Sequence, residues 1–227
     1  MLYLAKNNKI EEIKKIDFPL EKNLQNFFEA NMTEITGYTF LETEFAVGDY
    51  RMDSVAYDSE NKSFVIVEYK RGKNESLVDQ GYAYLNRLLD RKADFVLLYN
   101  EKMKESKRKD DFEWSQTKIV FVSPKFTQNQ LDATAFSNMA FELYEVTKYE
   151  GDIYSVVYQN QKKRNYKMTI DTNQDSIVNN VNKEIVVYDE DYLIREARST
   201  KELVDLYNEL KEAIFTIDSD LNTKVNK

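Results

Sequence analysis

The run SFVIVEYK, residues 63–70, constrains the fold of this chain more than any other stretch. As a strand it sets Phe64, Ile66, Glu68 and Lys70 on one face and Val65, Val67 and Tyr69 on the other. Both faces are apolar over most of their length. That marks a central strand covered by further layers on both sides. Yet a carboxylate and an ammonium stand at its C-terminal end, on a face that begins as core. Burying an unpaired charge costs several kcal/mol, so these groups need partners or an ion.

The preceding run, YRMDSVAYD, supplies a partner. It reads as a strand with Asp53, Val55 and Tyr57 on one face, and DSENK reads as the turn into the next strand. If the two pair as a hairpin, residues whose numbers sum to about 121 lie opposite each other, because the turn centres near residues 60–61. Asp53 then falls beside Glu68. Two adjacent carboxylates repel unless a cation lies between them. A hard divalent ion that takes oxygen ligands and keeps several waters suits such a pair, and magnesium is the natural choice. Lys70, one alternate position further on, is set to contact a phosphate or activate a water.

Acid-x-Lys is a weak motif alone. It occurs six times here, at Glu12, Glu60, Glu68, Asp90, Glu105 and Glu209, and only Glu68 sits at the end of an apolar strand. The rest of the composition narrows the chemistry. There is no histidine and no cysteine, which excludes imidazole general bases, thiolate metal sites and disulfides. The N-terminus is too polar for a signal peptide and no run is long enough to span a bilayer, so a cytoplasmic protein without membrane association is expected. The net charge of −8 leaves nucleic-acid binding to a local basic face or a bound cation.

Along the chain, PLEKNLQNFFEANMTEITG reads as a helix opened by Pro19 and closed by Gly37. Strands follow near 40–47, 50–58 and 62–70. SLVDQGYAYLNRLLDRK reads as a second helix, with Gly81 allowing close approach to the sheet. DFVLLYN and TKIVFVS read as strands, separated by a lysine-rich polar loop in which Trp114 is a packing anchor. A short helix near 127–135 and a hairpin turning at EGD come next. The expected fold class is α/β: a mixed β-sheet flanked by helices. Residues 1–160 form this domain and 161–185 a polar linker. Residues 186–227 form a helical segment, the start of a second domain. There Ser199 and Glu202 suit a capping box, and Leu203, Leu206, Tyr207, Leu210, Ile214 and Ile217 share one face. Docking on a second copy, as a homodimer, is one use of that face.

Asp53, fourteen intervening residues, and then Glu68-Tyr69-Lys70 resemble the PD-(D/E)XK superfamily of restriction-endonuclease-like nucleases. Members often carry a glutamate on an upstream helix, here Glu21 with Gln25 one turn on, and Gln-x-x-x-Tyr on the following helix, here Gln80 and Tyr84. The usual proline before the aspartate is Met52. The likeness covers roughly residues 18–92 and is nearest to bacterial proteins in which this domain precedes a small C-terminal one. It implies a restriction-endonuclease-like core. Asp53, Glu68 and the Tyr69 carbonyl would ligate Mg²⁺ or Mn²⁺. Glu21 would act through a water or a second metal, Lys70 would serve the attacking water, and Gln25, Gln80 and Tyr84 would support them. Arg71, Lys73, Arg87, Lys107 and Arg108, with neighbouring loop lysines, are candidate phosphate contacts. The expected activity is Mg²⁺-dependent hydrolysis of phosphodiester bonds, in DNA first. The alternative is an inactive nuclease fold that binds nucleic acid or protein.

Overall fold

The computed structural model describes residues 1–71, 76–135, 140–159, 177–188, 192 and 200–217. Lys73, Ser199 and residues 161–176 of the expected linker lie outside the described residues. Two compact units divide the chain, Met1–Val186 and Val187–Lys227.

In the larger unit the strands are β1 (Leu2–Lys6), β2 (Lys9–Ile13), β3 (Lys15–Ile16), β4 (Thr39–Val47), β5 (Tyr50–Asp58), β6 (Ser63–Tyr69), β7 (Lys118–Ser123), β8 (Phe141–Tyr149) and β9 (Ile153–Tyr158). Its α-helices are α1 (Glu21–Ala30), α2 (Met32–Thr36), α3 (Leu77–Asp90), α4 (Lys92–Met103), α5 (Gln128–Thr134) and α6 (Ile177–Glu184). β1 and β2 form a separate hairpin, and the other seven strands make one sheet in the order β3-β8-β7-β6-β5-β4, with β9 on β8. β6 pairs with β7 and β7 with β8 in parallel; the remaining pairs are antiparallel. The mixed α/β fold is as expected, with β6 at its centre and every residue of β6 buried.

The alternation read from β6 separates two cores. Val55, Tyr57, Phe64, Ile66, Ile119 and Phe121 pack on one face with α3 and α4. Ala56, Val65, Val67, Tyr69, Val120 and Val122 pack on the other with Leu24 and Phe28 of α1. Trp114 stacks on Phe64 at 5.3 Å, as a packing anchor would. Gly81 lets α3 close on β8: a Cβ there would stand 2.5 Å from Phe141 Cζ. Alanine at an ordinary helix position stabilises by about 1 kcal/mol over glycine. Here the clash reverses the sign. Gly81→Ala is expected to lose about 1–3 kcal/mol in urea unfolding, and Gly81→Ala with Phe141→Leu to recover part of it.

Three local readings change, and the N-terminal hairpin is new. DFVLLYN is not a strand but part of α4, with Phe95, Leu98 and Tyr99 buried at helical spacing. A short apolar run carries no period strong enough to separate the two states. The first helix is two, because Asn31 leaves helical geometry and its side-chain amide bonds the Phe27 carbonyl at 2.7 Å. Gly37, at φ 77°, caps the second. Within the stretch read as linker, α6 buries Val181, followed by buried Ile185, in the α3–α4 core, and Tyr82 donates to Asn182 at 3.2 Å. The N-terminal hairpin turns on Asn7 and Asn8, at φ 51° and 62°, the left-handed pair that a tight hairpin turn requires.

The smaller unit contains α7 (Lys201–Ile217), which carries the apolar stripe from Leu203 to Ile217. Its amide at Leu203 bonds Thr200 Oγ1 at 3.4 Å, so Thr200 caps the helix. No helix among the described residues is long and apolar enough to cross a membrane.

Candidate active site

The hairpin register is the one inferred from the turn. Ser54 pairs with Val67 and Val55 with Ile66, so each pair sums to 121 and the next step brings Asp53 opposite Glu68. The ladder stops there. Asp53 Oδ2 instead accepts a hydrogen bond from the Tyr69 amide at 3.1 Å. On its other side β5 pairs Ser54 with Thr43 and Met52 with Phe45, skipping Asp53 and Glu44. Glu44 has φ 50°, and Met52 and Val55, three apart, face the same core. The strand therefore changes phase at Asp53, across from a glutamate in the left-handed region. Lys22 and Arg51 hold the Glu44 carboxylate at 2.9 and 3.6 Å.

Glu68 is 3% exposed. Its Oε1 accepts from Gln80 Nε2 at 2.6 Å and pairs with Lys70 Nζ at 2.9 Å. Among the described residues its Oε2 is buried with no hydrogen-bond donor, and the Glu68 carboxyl lies within hydrogen-bonding reach of Asp53. Gln80 Nε2 also donates to Tyr84 Oη at 3.1 Å, and Tyr84 donates to the Arg51 carbonyl at 3.4 Å. One face of α3 thus ties β6 to β5. Lys70 is buried too, and its amide continues the parallel ladder to the Val122 carbonyl at 2.8 Å.

Burial pushes the Glu68 carboxyl up to about 7, and the charge of Asp53 adds to it, against the pull of Lys70 and Gln80. Burial likewise raises Asp53, although the Tyr69 amide and Lys70 favour its charged form. Tyr84 is pushed up to about 12 by burial and then by Glu68. Two desolvated carboxylates side by side are poised for a cation.

Gln25 supports Asp53 from α1. Its Nε2 lies 2.9 Å from the Asp53 carbonyl, 3.1 Å from Thr43 Oγ1 and 2.8 Å from Glu29 Oε1. Glu29 also accepts from Ser54 Oγ at 2.6 Å, and Ser54 Oγ is 3.2 Å from the Tyr69 hydroxyl. Sequence reasoning missed Glu29, Ser54 and Thr43. Glu29 stands one turn after Gln25 on the same helix face, and that spacing was the available signal.

Glu21 takes a different place. Its Oε2 accepts from the Arg71 amide at 2.9 Å, and the Arg71 guanidinium bonds the Pro19 carbonyl, so α1 is tied to the end of β6. Among the described residues no group of three or more carboxylate, imidazole or thiol side chains is set to hold a metal. The pair Asp53 and Glu68, with an orphaned buried oxygen, still fits magnesium, which is held by one or two carboxylates and keeps its waters. Lys107 and Arg108 lie away from the pair. Lys107 pairs with Glu105 at 3.2 Å, Tyr99 donates to Glu105, and Tyr99 packs on Tyr57. Tyr57 is four residues, about 13 Å, along β5 from Asp53.

No family model matches the chain. An uncharacterised protein of Haemophilus influenzae is 38% identical over 227 residues, which is 100% of this chain and 74% of that protein. The chain belongs to that protein's family. Among solved structures, an EndoMS–dsDNA complex is 18% identical with a TM-score of 0.34, over 60% of this chain and 48% of its own. A repair endonuclease from Pyrococcus abyssi is 17% identical at 0.32, over 58% and 50%. Pyrococcus furiosus SfsA in complex with Ca²⁺ is 17% identical at 0.30, over 61% and 62%. The chain thus spans about half the length of the EndoMS and repair-endonuclease chains.

Proposed function

We propose that this protein is a Mg²⁺-dependent nuclease of the PD-(D/E)XK type that hydrolyses phosphodiester bonds in DNA, with Mn²⁺ able to replace Mg²⁺. The observation that carries this reading is Asp53 beside Glu68 at the end of a buried strand pair, with Glu68 Oε2 unpartnered among the described residues and Lys70 at 2.9 Å from Oε1. Asp53 and Glu68 Oε2 would hold the cation, with the Tyr69 carbonyl, next in sequence to Glu68, as a third oxygen. When bound, the cation supplies Lewis acidity at the phosphate and a lowered pKa for water.

The chain's own residues do the rest. Gln80 and Lys70 occupy Glu68 Oε1, which leaves Oε2 as the ligand atom. Lys70 holds its buried ammonium beside Glu68 Oε1, from where it would donate to a phosphate oxygen or orient the attacking water. Gln25 fixes the Asp53 main chain, and Tyr84 fixes Gln80. Glu21 holds the Arg71 backbone, so its role is to set where β6 ends.

Calorimetric titration with Mg²⁺ and Mn²⁺, paired with cleavage of plasmid, linear and single-stranded DNA, tests the reading. Lys70→Ala is expected to bind metal within about tenfold of wild type and to cut about 10²-fold or more slowly, the usual contribution of a positioned proton-transfer group. Full activity in that variant would remove Lys70 from the chemistry. A wild type that binds metal and DNA but cuts nothing would leave a binding module on this fold.

A further inference from the structure

The tip of the β4–β5 hairpin gathers charge that the proposed chemistry does not use. Gly48, at φ 59°, turns the hairpin. The guanidinium groups of Arg87 and Arg91, one turn apart along α3 and its C-terminal cap, both come within 3.9 Å of where a Cβ on Gly48 would stand. Arg87 also lies over the Tyr50 ring at 4.7 Å, and Tyr50 packs edge-on against Tyr84 at 6.2 Å. The patch is therefore continuous with the Tyr84–Gln80–Glu68 chain.

Among the described residues neither arginine is in an ion pair. The nearby acids are engaged elsewhere or small in number. Glu44 is held by Lys22 and Arg51, and Asp90 accepts from Asn86. Asp49, beside Gly48, is the remaining acid of the tip. Two guanidinium groups drawn to one point repel unless an anion joins them, and their planar forks match phosphate oxygens in pairs.

We infer that Arg87 and Arg91, set against the Gly48–Tyr50 tip, form a clamp for nucleic-acid phosphates at a fixed distance from the cut; this rests on the nuclease reading. Gly48 is five residues along the hairpin from Asp53, about 16 Å at ~3.3 Å per residue. At ~3.4 Å of rise per nucleotide in one strand, that is about five nucleotides. The clamp makes the enzyme require that much backbone on one side of the scissile bond. It also explains how a chain of net charge −8 takes a polyanion: the positive charge is local and fixed in geometry.

The test measures binding of a labelled DNA duplex to the full chain by fluorescence anisotropy as salt is raised, in an Asp53→Asn background so that nothing is cut. Arg87→Gln with Arg91→Gln is expected to weaken binding about 10–100-fold and to lower the salt slope by about two. Lys15→Gln with Lys148→Gln, on paired strands at the opposite edge of the sheet, removes the same charge and is expected to leave the slope unchanged. In the wild-type background, the native clamp is expected to favour duplexes with more than about five nucleotides on one particular side of the cut, and the arginine variant to lose that length dependence. If wild type cuts DNA and the arginine variant keeps the full slope and length dependence, the clamp is wrong and the nuclease reading stands. If wild type neither binds nor cuts nucleic acid, both fall.

Discussion

Asparagine in place of Asp53 is expected to abolish divalent-cation binding and to slow DNA cleavage by at least ~10³-fold, since metal chemistry contributes several kcal/mol and each ~1.4 is tenfold. The same change is expected to make the metal-free protein more stable. Asparagine keeps an oxygen for the Tyr69 amide, which Asp53 Oδ2 now holds at 3.1 Å. It removes one of two desolvated negative charges. The sign follows from the raised carboxyls. Glu68 is lifted by burial, then by Asp53, from 4.5 to about 7, so the folded state holds a proton that the unfolded chain releases. Stability then falls as pH rises through that window, and the penalty is fully present above about 7. Wild-type protein without metal should be less stable at pH 8 than at pH 5, by on the order of 2 kcal/mol. Mg²⁺ should restore most of that loss at pH 8 and little at pH 5, where protons compete for the ligands. Asp53→Asn should flatten the pH profile and remove the Mg²⁺ response. Scanning calorimetry at both pH values, with and without Mg²⁺, reads all of this. A variant that melts lower and still responds to Mg²⁺ would make Asp53 a structural residue.

The central hairpin was legible because two independent constraints agreed. Alternation in SFVIVEYK set which residues share a face, and the DSENK turn set which residues face each other. Gln80 and Tyr84 were singled out by the resemblance alone; in the structure one helical turn carries both to the end of β6. Other features were decided by tertiary contacts. DFVLLYN is helical because Phe95, Leu98 and Tyr99 fit a helix stripe, with Phe95 and Tyr99 against Phe45, Tyr57 and Phe64, residues distant in sequence. The break at Asn31 depends on one side-chain bond to Phe27. The role of Glu29 depends on Ser54, which is 25 residues away. The lysine-rich loop had a composition suited to phosphate contact. Its position was set instead by Asn100, whose side chain bonds both the amide and the carbonyl of Lys107.

The largest loss of stability is expected from Lys118→Met. Lys118 opens β7 at the other end of the same strands. Its ammonium lies 3.1 Å from Glu142 Oε1, 3.4 Å from Asp58 Oδ2 and 3.2 Å from the Tyr38 hydroxyl. Tyr38 donates to Glu142, and Asp58 also accepts from the Glu60 and Asn61 amides and the Asn61 side chain. Burial alone would lower the Lys118 pKa, but Glu142 and Asp58 together outweigh it and raise it. Without the ammonium, two carboxylates are left partly buried and uncompensated. The expected cost is about 3–5 kcal/mol in urea unfolding. Lys118→Met with Glu142→Gln should recover part of it, because the neutral side chain keeps an acceptor for the Tyr38 hydroxyl and removes one of the two stranded charges. Cleavage per folded molecule should not change, because Asp58 lies five residues, about 16 Å, along β5 from Asp53. The contrast between the two ends carries the functional reading. At the Lys118 end a buried cation lies between two carboxylates and compensates both, although the nearby hydroxyls of Ser63 and Thr117 are buried without a partner among the described residues. At the Glu68 end the buried atom without a partner among the described residues is a carboxylate oxygen. A carboxylate oxygen costs more to strand than a hydroxyl, and a cation, or at low pH a proton shared with Asp53, compensates it. An unchanged melting curve in Lys118→Met would undo that contrast.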